Sequence, residues 1–316
     1  MFGFHEHCLS SAERTQSALI GNVVKRPNVI GNCPENRPQM KRFRITNMEF
    51  DTRAKVLEIE ILDSWEENVK LLWLQNKEII ISNIFTEYGQ KPEVLVNFID
   101  LGAKPFSVIS SHNLYHEHAR HAFIVGAYYA SVTAVCALGE RILNYLVISL
   151  RDTFKNVTTN EDINTHKSFS NWKLLNETLL EWGIFEEDIF DKFKALAQIR
   201  HRVIHYNKKL DTDLRETALQ SLKLLAEIIS IQFSGLANSK YFISEMASET
   251  YIKKQYENHP FVELVYLPNG TNVSPFHNVK NITNGVFEIE DLKEFEGREI
   301  SDSEFIDLRN KHLKSL

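Results

Sequence analysis

Apolar and polar positions divide the chain into a polar beginning, a section of short apolar runs and a long section at helical spacing. Residues 1–39 hold Pro27, Pro34 and Pro38 and no sustained period, which predicts a loop-like or partly ordered segment. From Lys41 to about Asp100 aliphatic runs follow one another: R-F-R-I-T near 42, K-V-L-E-I-E-I-L from Lys55, V-K-L-L-W-L from Val69, K-E-I-I-I from Lys77 and E-V-L-V-N-F-I from Glu93. V-L-E-I-E-I-L alternates as a strand with one wet face does, so the spacing predicts a small antiparallel sheet within a β-rich region, 40–110.

After Pro105 the period becomes helical, and it predicts helices over about 114–154, 172–182, 186–206 and 212–233. Glu186, Glu187 and Asp188 open the third while Lys208 and Lys209 follow its end, the charge order that the helix dipole favours. Asp211 precedes the fourth as its expected N-cap. These helices make an antiparallel bundle over 111–237. Beyond it, 238–316 reads as a small mixed extension: a helix from Tyr241 to Tyr256, a strand F-V-E-L-V-Y-L before the turn P-N-G at Pro268, and a capping box S-D-S-E from Ser301. The predicted class is α+β.

Composition narrows the functions open to such a chain. Its 316 residues carry 36 Lys plus Arg against 42 Asp plus Glu, a net charge of −6, which excludes a grip on polyanions by bulk charge and leaves only local patches. Cys8, Cys33 and Cys136 form neither a disulfide framework nor a C-x-x-C knuckle, and the N-terminus shows no basic head before an apolar stretch; both point to the cytoplasm. Ala122 to Gly139 runs 18 residues without a charge, the lower limit for a bilayer span. Ala, Gly, Ser, Thr and two Tyr dilute it and Glu140 and Arg141 follow, so it reads as a helix inside the bundle and no membrane partner is expected.

The stretch A-L-A-Q-I-R-H-R-V-I-H-Y-N-K-K stands out chemically. Between Lys192 and Lys209 lie six Lys or Arg, two His and no acid. One reading is a solvated helix end whose cations suit the C-terminal dipole. The other follows from residue type, because Arg presents a planar fork of donors to phosphate and His exchanges protons near neutrality. Cutting RNA without a metal needs both: a base for the 2′-hydroxyl proton and a cation for the charge that builds on phosphate.

In R-H-R-V-I-H the segment resembles the signature of the HEPN superfamily, with Arg200 and His205 matching the paired motif residues and His201 in the polar slot between them. Upstream, A-Y-Y-A-S-V-T-A-V-C-A-L-G-E-R-I-L is similar to the long first helix of such bundles, with Glu140 where an acidic residue is often seen, and the resemblance spans about 114–235. It implies an all-helical bundle that dimerises with two Arg-His pairs facing one another and that acts without a cofactor. In active branches this is a metal-independent endoribonuclease toxin or defence effector; other branches are non-catalytic modules that bind nucleotide, RNA or protein. By analogy His205 is the general base and Arg200 the cation at phosphate. An antitoxin or a trigger protein is the further partner implied. Some toxin relatives place a Tyr two positions after the His, where this chain has Asn207.

Spacing leaves several roles open. Arg200 and His205 are five apart, about 140° around a helix, so a helix ending near Ile204 or a second subunit is needed to unite them. His201 and His205 share a face and invite a zinc reading, but no Glu follows His201 as in H-E-x-x-H. Arg202 and Lys208 supply either phosphate contacts or surface charge. Glu140 is either an ion-pair partner that fixes helix packing or a group that orients Arg200 or His201. His112, His116, His118 and His121 form a second cluster, read as the solvated start of a helix or as a surface for metal or RNA. Nine acids against two bases from Gly285 to Asp307 either shield a basic groove or face solvent.

Overall fold

The computed structural model describes residues 44–45, 51–158, 160–204, 213–234, 240–243, 251–269, 272–273, 277–283, 286–291 and 301–307. Strand β1 is Arg44–Ile45, the one part of the predicted N-terminal sheet that is a strand among the described residues. The runs beyond it are helices: α1 (Arg53–Glu58), α2 (Glu67–Tyr88) and α3 (Pro92–Leu101). The strands predicted from Val69, Lys77 and Glu93 are thus corrected to helix, and that from Lys55 to a helix ending at Glu58 followed by irregular chain at 59–62. Each apolar run there is too short for its period to decide, and no Gly or Pro interrupts 66–88. Over that length Ile80, Ile84 and Tyr88 turn inward at spacings of four. Pro92 sits at the first turn of α3, where its missing N–H costs nothing, and Val94, Phe98 and Leu101 bury one face.

The predicted helix over 114–154 is two helices, α4 (Ser110–Ile124) and α5 (Tyr128–Leu150). They meet at Gly126, whose φ of 86° suits glycine and breaks the apolar run near its start. The resulting hairpin is clasped where Ser131 Oγ donates to the carbonyl of Ala119 at 2.8 Å. Short α6 (Glu161–Thr165) leads to α7 (Trp172–Glu181), α8 (Glu187–Ile204) and α9 (Leu214–Gln232). The latter three fall close to the predicted spans. Asp211 lies outside the described residues; Asp213 holds the N-cap position of α9 without a side-chain bond to the helix.

Helix α5 is the centre of the bundle, packed by α4, α7, α8 and α9. By length and composition it can cross a membrane, with mean hydropathy 1.4, yet 56% of its apolar window is buried. A core helix of a bundle has the same signature.

The C-terminal region departs from its expected elements. Of the helix predicted over 241–256, 244–250 lies outside the described residues, and the remainder is β2 (Phe242–Ile243), β3 (Tyr251–Ile252) and a 3₁₀ turn, Lys254–Tyr256. Aromatic and β-branched pairs buried on both faces favour short strands there. The strand predicted over 261–267 is a π-helix, Val262–Tyr266: Phe261, Val262, Val265 and Tyr266 are buried at helical spacing, which a seven-residue apolar run does not reveal. β4 (Asn272–Val273) joins β1, β2 and β3 in a sheet of order β2-β3-β1-β4, with Arg44 opposite Tyr251. β5 (His277–Thr283) and β6 (Val286–Asp291) form a separate hairpin with Val279 opposite Ile289. Residues 302–307 are helical, and Ser301 Oγ accepts from the Glu304 N–H as the capping box predicts.

The core runs as one cluster from Ala54 through the bundle to Tyr266, whose hydroxyl donates to the carbonyl of Gln232. This is a mainly helical α+β fold, with α3 tied to α9 through Arg215, which reaches Asp100 and Asn97.

Candidate functional site

Arg200 lies on α8 and Glu140 on α5, sixty positions apart in sequence, and the fold brings them together: Arg200 Nη2 stands 2.8 Å from Glu140 Oε2. Trp172 of α7 completes the group. Its Nε1–H donates to the same Glu140 oxygen at 3.0 Å, and the Arg200 guanidinium lies 5.2 Å from the centre of its ring. One carboxylate and one indole face hold the guanidinium at the junction of three helices.

Local sequence explains why Trp172 stands there. Asn144, one turn beyond Glu140, accepts from the Phe169 N–H at 2.7 Å and donates to its carbonyl at 2.9 Å, pinning the loop ahead of α7. Asn171 then caps α7, its Oδ1 accepting from the Leu174 N–H, so Trp172 opens the helix in a set orientation. Gly139 lets α7 approach α5. A Cβ at that position would lie 2.7 Å from Trp172 Cη2 and 3.2 Å from Leu196 Cδ2.

Beside this group, α7 and α8 border an open groove of about 990 Å³ lined by Trp172, Lys173, Asn176, Lys194, His201 and Arg202. His201 and Arg202 are exposed. Arg200 retains 28% side-chain exposure, enough to offer unused donors to an anion. The positive stretch is partly compensated in three dimensions, because Lys192 binds Glu227 at 2.6 Å and Asp188 at 3.2 Å and Arg200 binds Glu140. His205 and Lys208 lie outside the described residues. Among the sequence candidates, then, Arg200 and Glu140 are joined and His201 and Arg202 flank them on the groove. Trp172, Gly139 and Asn144 were missed, since their roles follow from packing between helices.

Cys136 sits one turn before Glu140 and is buried. Burial pushes its thiol up to about 11, Arg200 pulling down and Glu140 pushing up, so at neutral pH it is a protonated core residue.

The second histidine cluster is not the solvated helix start expected of it. His112, His116 and Arg120, four apart along α4, are buried, while His118 and His121 are exposed. His112 Nδ1 meets Ser107 Oγ at 3.1 Å, and neither ring nitrogen of His116 has a hydrogen-bond partner. Arg120 donates to the Gly102 carbonyl and Lys104 pairs with Glu117 at 2.9 Å, which explains how these cations are tolerated inside. Among the described residues no three His, Cys, Asp or Glu converge as a metal site.

Burial, aided by Arg141, lowers the His112 pKa to about 3; burial, aided by Arg120, Lys104 and His112, lowers that of His116 as well. Both remain neutral when folded but take up protons below about pH 6.5 once unfolded, so their contribution to stability is present above that pH and lost as pH falls. Each should cost on the order of 1 kcal/mol per pH unit between roughly pH 6 and 5. Denaturant melts at pH 7, 6 and 5 test this. A flat profile contradicts it, and His116→Phe, which removes two unpartnered nitrogens, should roughly halve the slope without lowering stability at pH 7.

No family model matches the chain, and neither a curated protein nor a solved structure matches it.

Proposed function

We propose that the chain is a metal-independent endoribonuclease of the HEPN type, a cytoplasmic homodimer through its helical bundle whose activity is held or released by an antitoxin or trigger protein. The observation that carries this reading is the setting of Arg200: a guanidinium oriented by Glu140 and Trp172, partly exposed, beside an open groove whose rim bears Lys173, Lys194, His201 and Arg202. In the proposed reaction His205 takes the proton of a ribose 2′-hydroxyl. The freed oxygen bonds to the adjacent phosphorus, the bond from phosphorus to the 5′-oxygen breaks, and that oxygen takes up a proton to leave as a hydroxyl. The products carry a 2′,3′-cyclic phosphate and a 5′-hydroxyl. Arg200, assisted by His201, Arg202 and Lys208, meets the charge that gathers on phosphate.

A second reading, a non-catalytic HEPN module that binds RNA, nucleotide or protein, draws on the same ion pair, because Glu140 gives Arg200 a packing role that needs no chemistry. Induced expression separates the two. The nuclease should slow growth and degrade cellular RNA, and His205→Ala should do neither; equal behaviour of wild type and variant sinks the catalytic reading.

A further inference from the structure

Residues 56–79 carry a surface that the rest of the described fold leaves open. On α2 the half-buried positions Lys70, Trp73, Lys77 and Ile80 recur at helical spacing, yet large aliphatic side chains also stand outward. Val69, Leu71, Leu72, Leu74 and Ile79 are 42–61% exposed, and Ile59 and Leu62 join them from the preceding segment. Spread over the outward side of α2 and the segment before it, they offer on the order of 500 Å² of apolar surface, in the range where the largest patch of a protein is often functional.

Acids outnumber bases around this ridge, with Lys55 an exposed cation at its edge. Glu58, Glu60, Asp63, Glu66, Glu67 and Glu78 are all exposed. The cations of residues 56–79 are Lys70 and Lys77, and both are engaged: Lys70 Nζ lies 2.8 Å from Glu67 Oε1, and Lys77 Nζ donates to the carbonyls of Leu57 and Ile59. A two-fold dimer through this face would set acids against the same acids of the other copy, and an anionic bilayer would be repelled. The complementary partner is a helix with an aliphatic stripe between Lys or Arg flanks.

We infer that α2 and the segment before it form a docking ridge for a basic amphipathic helix of a partner protein. The inference rests on the apolar and acidic side chains of 56–79 and is independent of the nuclease reading.

The full-length protein can be titrated with a labelled 18-residue peptide of Leu and Lys, with Leu at positions i, i+3, i+4 and i+7, and with a scrambled peptide of the same composition. Saturable one-to-one binding of the ordered peptide, at least tenfold tighter than the scrambled one, is expected. Leu71→Ser with Leu72→Ser, or Glu66→Lys with Glu67→Lys, should each weaken it at least tenfold. These sites are exposed, so circular dichroism should show unchanged folding.

Equal binding by wild type and the double serine variant overturns the inference. So does sedimentation of the wild type as a dimer that the serine variant dissociates, which would make a second copy the occupant. Failure of the wild type to bind the peptide also overturns it, and a Leu72→Cys variant that then reacts with a thiol reagent no faster than wild type assigns the cover to the chain itself.

Discussion

Replacing Arg200 by alanine is expected to lower RNA cleavage at least a hundredfold while leaving the fold in place. In the proposed mechanism the substitution removes a donor from the developing phosphate charge, a loss that typically costs about 10²–10³ in rate. The structural cost is small because Arg200 and Glu140 keep side-chain exposures of 28% and 37%, and partly exposed ion pairs contribute about 0–1 kcal/mol. Arg200→Lys keeps the charge but loses the planar fork and its stacking on Trp172, so it should recover little of the activity. Glu140→Gln keeps a hydrogen-bond acceptor for Trp172 and Arg200 without the charge. It should reduce cleavage less than Arg200→Ala if Glu140 positions the guanidinium. Single-turnover cleavage rates with melting curves on the same samples check all three variants; an Arg200→Ala protein that is folded and fully active would remove Arg200 from the chemistry.

The largest effect on stability is expected at Gly139. Alanine is ordinarily favoured over glycine inside a helix by about 1 kcal/mol, but here the added Cβ would stand 2.7 Å from Trp172. The indole cannot readily retreat, since its Nε1–H is bound to Glu140 and its face carries Arg200. Gly139→Val, larger still, should therefore destabilise by about 3 kcal/mol, the upper part of the range for overpacked cores. It should also push α7 from α5 and loosen the hold on Arg200. Thermal melts of Gly139→Ala and Gly139→Val, with valine much the worse, test the close approach of these helices; a valine variant as stable as wild type contradicts it.

How much of this was legible in the sequence depended on the length of each periodic run. The patterns behind α7, α8 and α9 run ten residues or more, with acids before α8 and cations after it, and those helices formed near their predicted spans. K-E-I-I-I and V-K-L-L-W-L are too short to separate a strand from a piece of helix, and only their union in α2 shows the period. Gly126 lay in plain view, but its left-handed backbone is set by the α4–α5 turn. For the site, Arg200 and Glu140 were visible as a cation in an acid-free stretch and an acid in an apolar helix. Trp172 read as an ordinary helix start, because neither its bond to Glu140 nor the missing Cβ beneath it belongs to any local pattern. His112 and His116 were misread for a related reason: a polar side chain four residues from another signals a helix face, without saying whether that face is wet.

The chemistry proposed at Arg200 and His205 is tested most directly by the ends of the RNA fragments. Purified protein incubated with RNA in excess EDTA should leave 2′,3′-cyclic phosphate and 5′-hydroxyl ends, with no product from Arg200→Ala or His205→Ala. Absence of cleavage by wild type, loss of cleavage on chelation, or 5′-phosphate ends would contradict the account.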